Sequence, residues 1–120
     1  MAAKTSSPDA WATACFTLGS TYYNLDQSAT ALPWLERTTQ VRPTADVWIM
    51  LSDCLQHAHD LPRALKAAQR ATDMAPDRPK YLQRYAELLE QTGQVEQAAR
   101  LQPRVQDLRH YRQRVDRGNR

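Results

Sequence analysis

Lys80 and Arg84 are four residues apart, so on a helix they stand one turn above each other on the same face. Two cations so placed can grip a single carboxylate through charge-assisted hydrogen bonds. Other candidates for chemistry fail on spacing. His57 and His59 are two apart, project in different directions from a helix and chelate one metal ion poorly. Ser, His and Asp all occur, but no motif gathers them, and there is no glycine-rich loop to cradle a phosphate. The carboxylates scatter through helical positions that read as solvated. The chain is therefore read as a non-enzyme with no cofactor and no metal. Cys15 and Cys54 fall inside predicted helices and read as small buried hydrophobes of a reducing compartment, with a disulfide or reactive thiol as the alternative.

Charge is unevenly distributed. Residues 1–99 carry 9 basic and 11 acidic groups, whereas residues 100–120 carry seven arginines against Asp107 and Asp116. The net charge of +3 thus belongs to the C-terminal segment. Such a segment attracts phosphates in a salt-sensitive way, which makes an anionic surface or nucleic acid an alternative partner. Against nucleic acid, the arginines surround the segment rather than forming one stripe, and only Tyr111 offers a stacking ring there.

The elements that position these residues are helices in a repeating order. Leu18 and Leu51, Ala31 and Ala64, and Pro43 and Pro76 are each 33 residues apart, and Leu51 with Tyr85 and Ala64 with Ala98 are 34 apart. A period of this length marks a solenoid of helix pairs. Small residues at Gly19, Ser52, Ala86, Ala31, Ala64 and Ala98 let the two helices of a pair approach closely. Large apolar residues at Leu18, Leu51, Tyr22, Leu55, Leu89 and Leu35 fill the space around those contacts. One pair cannot bury both its faces, so pairs stack, and about three are needed for stability.

The spacing predicts six helical stretches. Ser7 caps the first, which has Pro8 at its first position and ends near Asn24. After a turn at Asp26-Gln27-Ser28 comes the second, in which Pro33 is tolerable only within the first turn. Pro43 closes it. Thr44 caps the third, to about Ala58, and Asp60 caps the fourth, with Pro62 in its first turn. The segment Pro76-Asp77-Arg78-Pro79 restarts the chain, Gly93 ends the fifth helix, and the sixth begins near Val95. Pro103 should kink or split that last helix. Leu101, Val105, Leu108, Tyr111 and Val115 then draw one apolar stripe, expected to cap the last repeat.

The patterns Trp48-x2-Leu51-Ser52-x2-Leu55, Leu18-Gly19-x2-Tyr22 and the helix-B alanines followed by Pro43 and Pro76 resemble the tetratricopeptide repeat. The first copy has Cys15 in the tryptophan slot, and the third is the most degenerate, with Tyr85 in the leucine slot and Gln102 in the phenylalanine slot. The expected fold is all-α, an α-solenoid of antiparallel helix pairs. Its parts are a lead at 1–7, repeats at about 12–44, 45–78 and 79–102, a capping helix at about 103–117 and a tail at 118–120. What the resemblance implies is a concave groove, lined by the first helix of each pair, that holds a peptide or helix of another protein. Carried onto this chain, the groove residues are Phe16, Ser20 and Tyr23 on the first helix, Ile49, Met50 and Asp53 on the third, and Lys80 and Arg84 on the fifth. Phe16, Tyr23, Ile49 and Met50 would anchor apolar side chains. Lys80 and Arg84 look like part of the carboxylate clamp of tetratricopeptide co-chaperones. Phe16, Ser20 and Met50 stand where that clamp has lysine and asparagine, which argues against chaperone tails as ligands.

A small dedicated chaperone or assembly factor of a secretion-type system is the narrower alternative, and self-association through the degenerate last repeat is a further one. No apolar run approaches the ~18 residues of a membrane span, and Met1 to Ser7 lacks an apolar core of a secretory signal, so the expected location is cytoplasmic.

Overall fold

The structure is a computed structural model that describes residues 7–118. The expected lead, apart from Ser7, and the last two residues lie outside the described residues. Six helices follow one another: α1 (Pro8–Asn24), α2 (Ser28–Val41), α3 (Ala45–His57), α4 (Leu61–Met74), α5 (Pro79–Gln91) and α6 (Val95–Gly118). No strand occurs among the described residues. Consecutive helices pack as the pairs α1 with α2, α3 with α4 and α5 with α6. The pairs join through α2 on α3 and α4 on α5, and α1 also touches α3. This is the all-α solenoid that the period demands.

Local chemistry sets the helix ends. Ser7 Oγ accepts from Ala10 N–H at 3.0 Å, Thr44 Oγ1 from Val47 N–H at 3.3 Å and Asp60 Oδ1 from Arg63 N–H at 3.3 Å. The first helix of each pair stops in the same way. Asp26 (φ 59°), His59 (φ 62°) and Gly93 (φ 85°) take left-handed conformations, and their spacing repeats the sequence period. After each, an N–H reaches back five residues. Gln27 donates to Tyr22 O at 2.9 Å, Asp60 to Leu55 O at 2.9 Å and Gln94 to Leu89 O at 2.7 Å. With the accompanying bonds from Asp26, His59 and Gly93 to the carbonyls of Tyr23, Gln56 and Glu90, this is a Schellman ending used three times. Only the third copy has the glycine that the conformation favours.

Burial follows the small-residue pattern. Gly19, Ala31, Ser52, Ala64, Ala86 and Ala98 are all buried. A Cβ on Gly19 would lie 2.8 Å from Leu35 Cδ2 and 3.3 Å from the Leu35 backbone nitrogen, so α1 and α2 meet there without room for a methyl group. Ser52 Oγ donates to Ala64 O at 3.0 Å, satisfying a buried hydroxyl across the second pair. Leu35, Leu51, Leu55 and Leu89 fill the core, as do the unpaired Cys15 and Cys54.

Three expectations are corrected. Leu18 is 36% exposed where its counterpart Leu51 is 4% exposed. Leu51 has a preceding helix pair to pack on, and no described helix precedes α1. Pro33 lies at the sixth position of α2, beyond the first turn, yet the helix continues to Val41. Pro103 likewise sits inside α6, which is not split and runs unbroken for 24 residues, so the last repeat and its extension are one helix. In both cases the proline and the residue four before it, Ala29 or Ala99, are exposed. The carbonyl left without its N–H partner is then open to water, which lowers the cost of the interruption.

Candidate functional site

The site begins with the facing surfaces of α1, α3 and α5. A chain of hydrogen bonds and one ion pair crosses all three. Tyr23 on α1 donates its hydroxyl to Asp53 Oδ2 on α3. Arg84 on α5 brings Nη2 to 2.6 Å from Asp53 Oδ1, and its Nη1 donates to Gln56 Oε1 at 2.9 Å. Gln56 Nε2 then donates to Gln91 Oε1 at 2.8 Å, returning to α5. Glu87 is 3.7 Å from the same guanidinium. Asp53 Oδ1 is buried and has the charge of Arg84 beside it but no aligned N–H, so the pair is held by charge more than by hydrogen-bond geometry. About two helical turns earlier on α3, Asp46 accepts from the Tyr81 hydroxyl on α5.

These bonds leave a signature in acidity. Burial, and then the Asp53 hydrogen bond, push the Tyr23 hydroxyl well above the usual phenol range. Burial and Asp46 push Tyr81 up to about 12. In each case ionisation would bring a phenolate against a carboxylate. Burial also raises the Cys54 thiol to about 11, partly opposed by Ser28, so this thiol is not a nucleophile at neutral pH.

Between the helices opens a cleft of about 490 Å³. Six of the eight residues expected in the groove line it: Tyr23, Ile49, Met50, Asp53, Lys80 and Arg84. Phe16 and Ser20 do not. Phe16 is half-buried against the core, and Ser20 Oγ bonds back to Thr17 O at 3.3 Å within its own helix. Tyr23 and Asp53 are bonded to each other, and two more of the six have other duties as well. Ile49 is 8% exposed and belongs to the core, so it forms the cleft floor rather than a free anchor. Arg84 is occupied by Asp53, Gln56 and Glu87, so Lys80 and Arg84 do not act as a matched pair of open cations.

The sequence reading missed Arg78, Tyr81, Arg109 and Arg112, which also line the cleft. The last two come from α6, which is one continuous helix through Pro103. Their three-residue separation was a readable signal for a shared helix face. His57 faces no ligand set: its Nδ1 lies 2.8 Å from Asp53 O in its own helix, and no cluster of three metal-binding side chains exists among the described residues. No described helix is long and apolar enough to cross a membrane.

A family model described as the tetratricopeptide repeat matches residues 16–79 and, overlapping, 55–107. The chain belongs to the tetratricopeptide repeat family. Among solved structures the fold is similar to MamA. A point mutant of MamA aligns with a TM-score of 0.76 at 20% identity, over 84% of this chain and 79% of that one. MamA from Desulfovibrio magneticus RS-1 aligns with a TM-score of 0.76 at 24% identity, over 82% of this chain and 56% of that one. A double mutant of MamA RS-1 reaches 0.79 at 24% identity, over 84% of this chain and 57% of that one. The chain thus spans little more than half the length of the last two. At these identities the likeness shows a shared fold. Comparison with curated protein sequences returns no significant match. A tetratricopeptide fold is a protein-interaction scaffold, and that is the coarse function of this chain.

Proposed function

We propose that the chain is a non-enzymatic binding module whose concave cleft holds a peptide or helix of a partner protein. What supports this reading is the coincidence of the cleft with the first helices of all three pairs. Six residues expected to face a partner converge there, on a scaffold braced by the Tyr23–Asp53–Arg84 chain. Because that brace is already satisfied within the protein, the cleft walls are set before a partner arrives, which lowers the ordering cost of binding. Met50, half-buried at the cleft, is the flexible apolar contact, and Lys80 supplies charge at the rim. The buried, unpaired Cys15 and Cys54 suit a reducing cytoplasmic setting.

The test is affinity capture from the native cell extract with the wild type and Met50→Glu, with far-ultraviolet circular dichroism on both. A partner retained by the wild type and lost by a variant of unchanged helicity supports the assignment. Equal retention by both proteins removes the cleft from the account.

A further inference from the structure

The cleft is lined by five cations and three carboxylates, and the three carboxylates are all engaged inside the protein. Asp46 accepts from Tyr81, Asp53 from Tyr23 with Arg84 alongside, and Glu87 lies against Arg84 and accepts from Gln83 at 3.3 Å. Among the described residues, Arg84 is the only cation of the five in an ion pair. Arg78, Lys80, Arg109 and Arg112 have no carboxylate within 4.0 Å among the described residues. Arg78 and Lys80 flank the start of α5, and Arg109 and Arg112 come from the far half of α6. Four unpaired cations thus converge on one cleft from two elements.

We propose that the occupant of this cleft is an acidic protein segment, its carboxylates held between Arg78 and Lys80 on one side and Arg109 and Arg112 on the other. This rests on the reading of the cleft as a peptide site and adds the chemistry of the peptide. Like charges facing one another across a cleft repel, and a segment carrying two or more carboxylates relieves that repulsion while leaving the internal brace intact. Arginine suits the role because its planar fork binds a carboxylate through two parallel hydrogen bonds. The apolar floor of Ile49 and Met50 calls for apolar side chains between the acidic ones. A backbone of bare phosphates would meet the same cations but would leave that floor uncovered, and this favours peptide over nucleic acid.

The experiment is selection of peptides from a randomised displayed library by the full chain, followed by fluorescence anisotropy of the selected peptides. Arg109→Glu/Arg112→Glu, Arg109→Lys/Arg112→Lys and Met50→Glu variants are measured alongside. A single-stranded oligonucleotide of matched charge is the comparison probe. Expected are sequences enriched in Asp and Glu with interspersed apolar residues, and affinity falling as salt rises. The double charge reversal should weaken binding roughly tenfold or more, from the loss of charge-assisted hydrogen bonds, and the lysine variant, which keeps the charge and loses the fork, should fall between it and the wild type. Arg109 and Arg112 are exposed, so these substitutions leave helicity unchanged. Selected peptides that are sensitive to Met50→Glu but lack acidic enrichment, or ignore the charge reversal, overturn this inference and leave the cleft reading standing. Failure to select any peptide, or binding indifferent to Met50→Glu, overturns both. Tighter binding of the oligonucleotide with the same variant dependence overturns the choice of a protein segment.

Discussion

Replacing Arg84 with Met keeps the length of the side chain and removes the charge that Asp53 faces. The carboxylate then keeps only Tyr23, with Oδ1 buried and without any partner. Its side chain is 14% exposed and that of Arg84 29%, so the pair lies between two regimes. Fully exposed pairs contribute about 0.2–1 kcal/mol, and breaking a buried pair costs about 3–5 kcal/mol. Partial access to water discounts the upper figure, and about 2 kcal/mol is expected for Arg84→Met. Asp53→Asn should cost less, about 1 kcal/mol. The amide can still accept from Tyr23, and the guanidinium keeps Gln56 and Glu87. Urea denaturation followed by circular dichroism on the two single variants and the double variant closes the cycle. The double variant should be more stable than the sum of the singles implies, by about 1 kcal/mol. The coupling should change little with salt, because most of the pair is out of water. Single effects that add to within about 0.3 kcal/mol would refute the claim that Asp53 and Arg84 brace α3 against α5.

Gly19→Ala places a methyl group 2.8 Å from a fully buried Leu35 side chain, and overpacking of this kind should cost about 1–3 kcal/mol in the same assay. His59→Gly removes a side chain from a left-handed position and should stabilise the fold by about 0.5–1 kcal/mol, whereas a loss of stability would mean that His59 makes a contact that outweighs the strain. Stability should also fall in alkali. In the folded chain Cys54 and Tyr81 keep their protons to about 11 and about 12, against ordinary values of 9.0 and 10.0. Well below pH 9 both states are protonated and this contribution is whole. Above it the unfolded chain loses protons first, so stability should decline between about pH 9 and pH 12, by up to about 1.4 kcal/mol per pH unit for each group titrating. A melting temperature that stays level across that window would contradict the burial of these two groups.

The fold was legible because its determinants are local and repeated. The 33- and 34-residue offsets, the alanines of the second helices and the capping residues Ser7, Thr44 and Asp60 all act within a few positions of where they stand in the chain. The candidate site was legible only in part. Helical periodicity places Tyr23, Met50 and Lys80 on one concave side, but it does not say which neighbour claims a side chain. Whether Ile49 is free depends on packing between pairs, and whether Arg84 is free depends on Asp53, 31 positions away. Pro33 and Pro103 misled for a similar reason. A helix rule prices the missing hydrogen bond without knowing that the orphaned carbonyl faces water. Reading α6 as divided at Pro103 also concealed that Arg109 and Arg112 arrive at the cleft.

The central claim is that a partner is held on the concave side of the helix stack. A photo-reactive amino acid replacing Lys80, at the cleft, or Lys66, exposed on α4 and outside the cleft, tests it with any partner captured by the wild type. The account predicts crosslinks from position 80 and none from position 66. Crosslinking from position 66 with position 80 silent would place the partner on the opposite surface and contradict it.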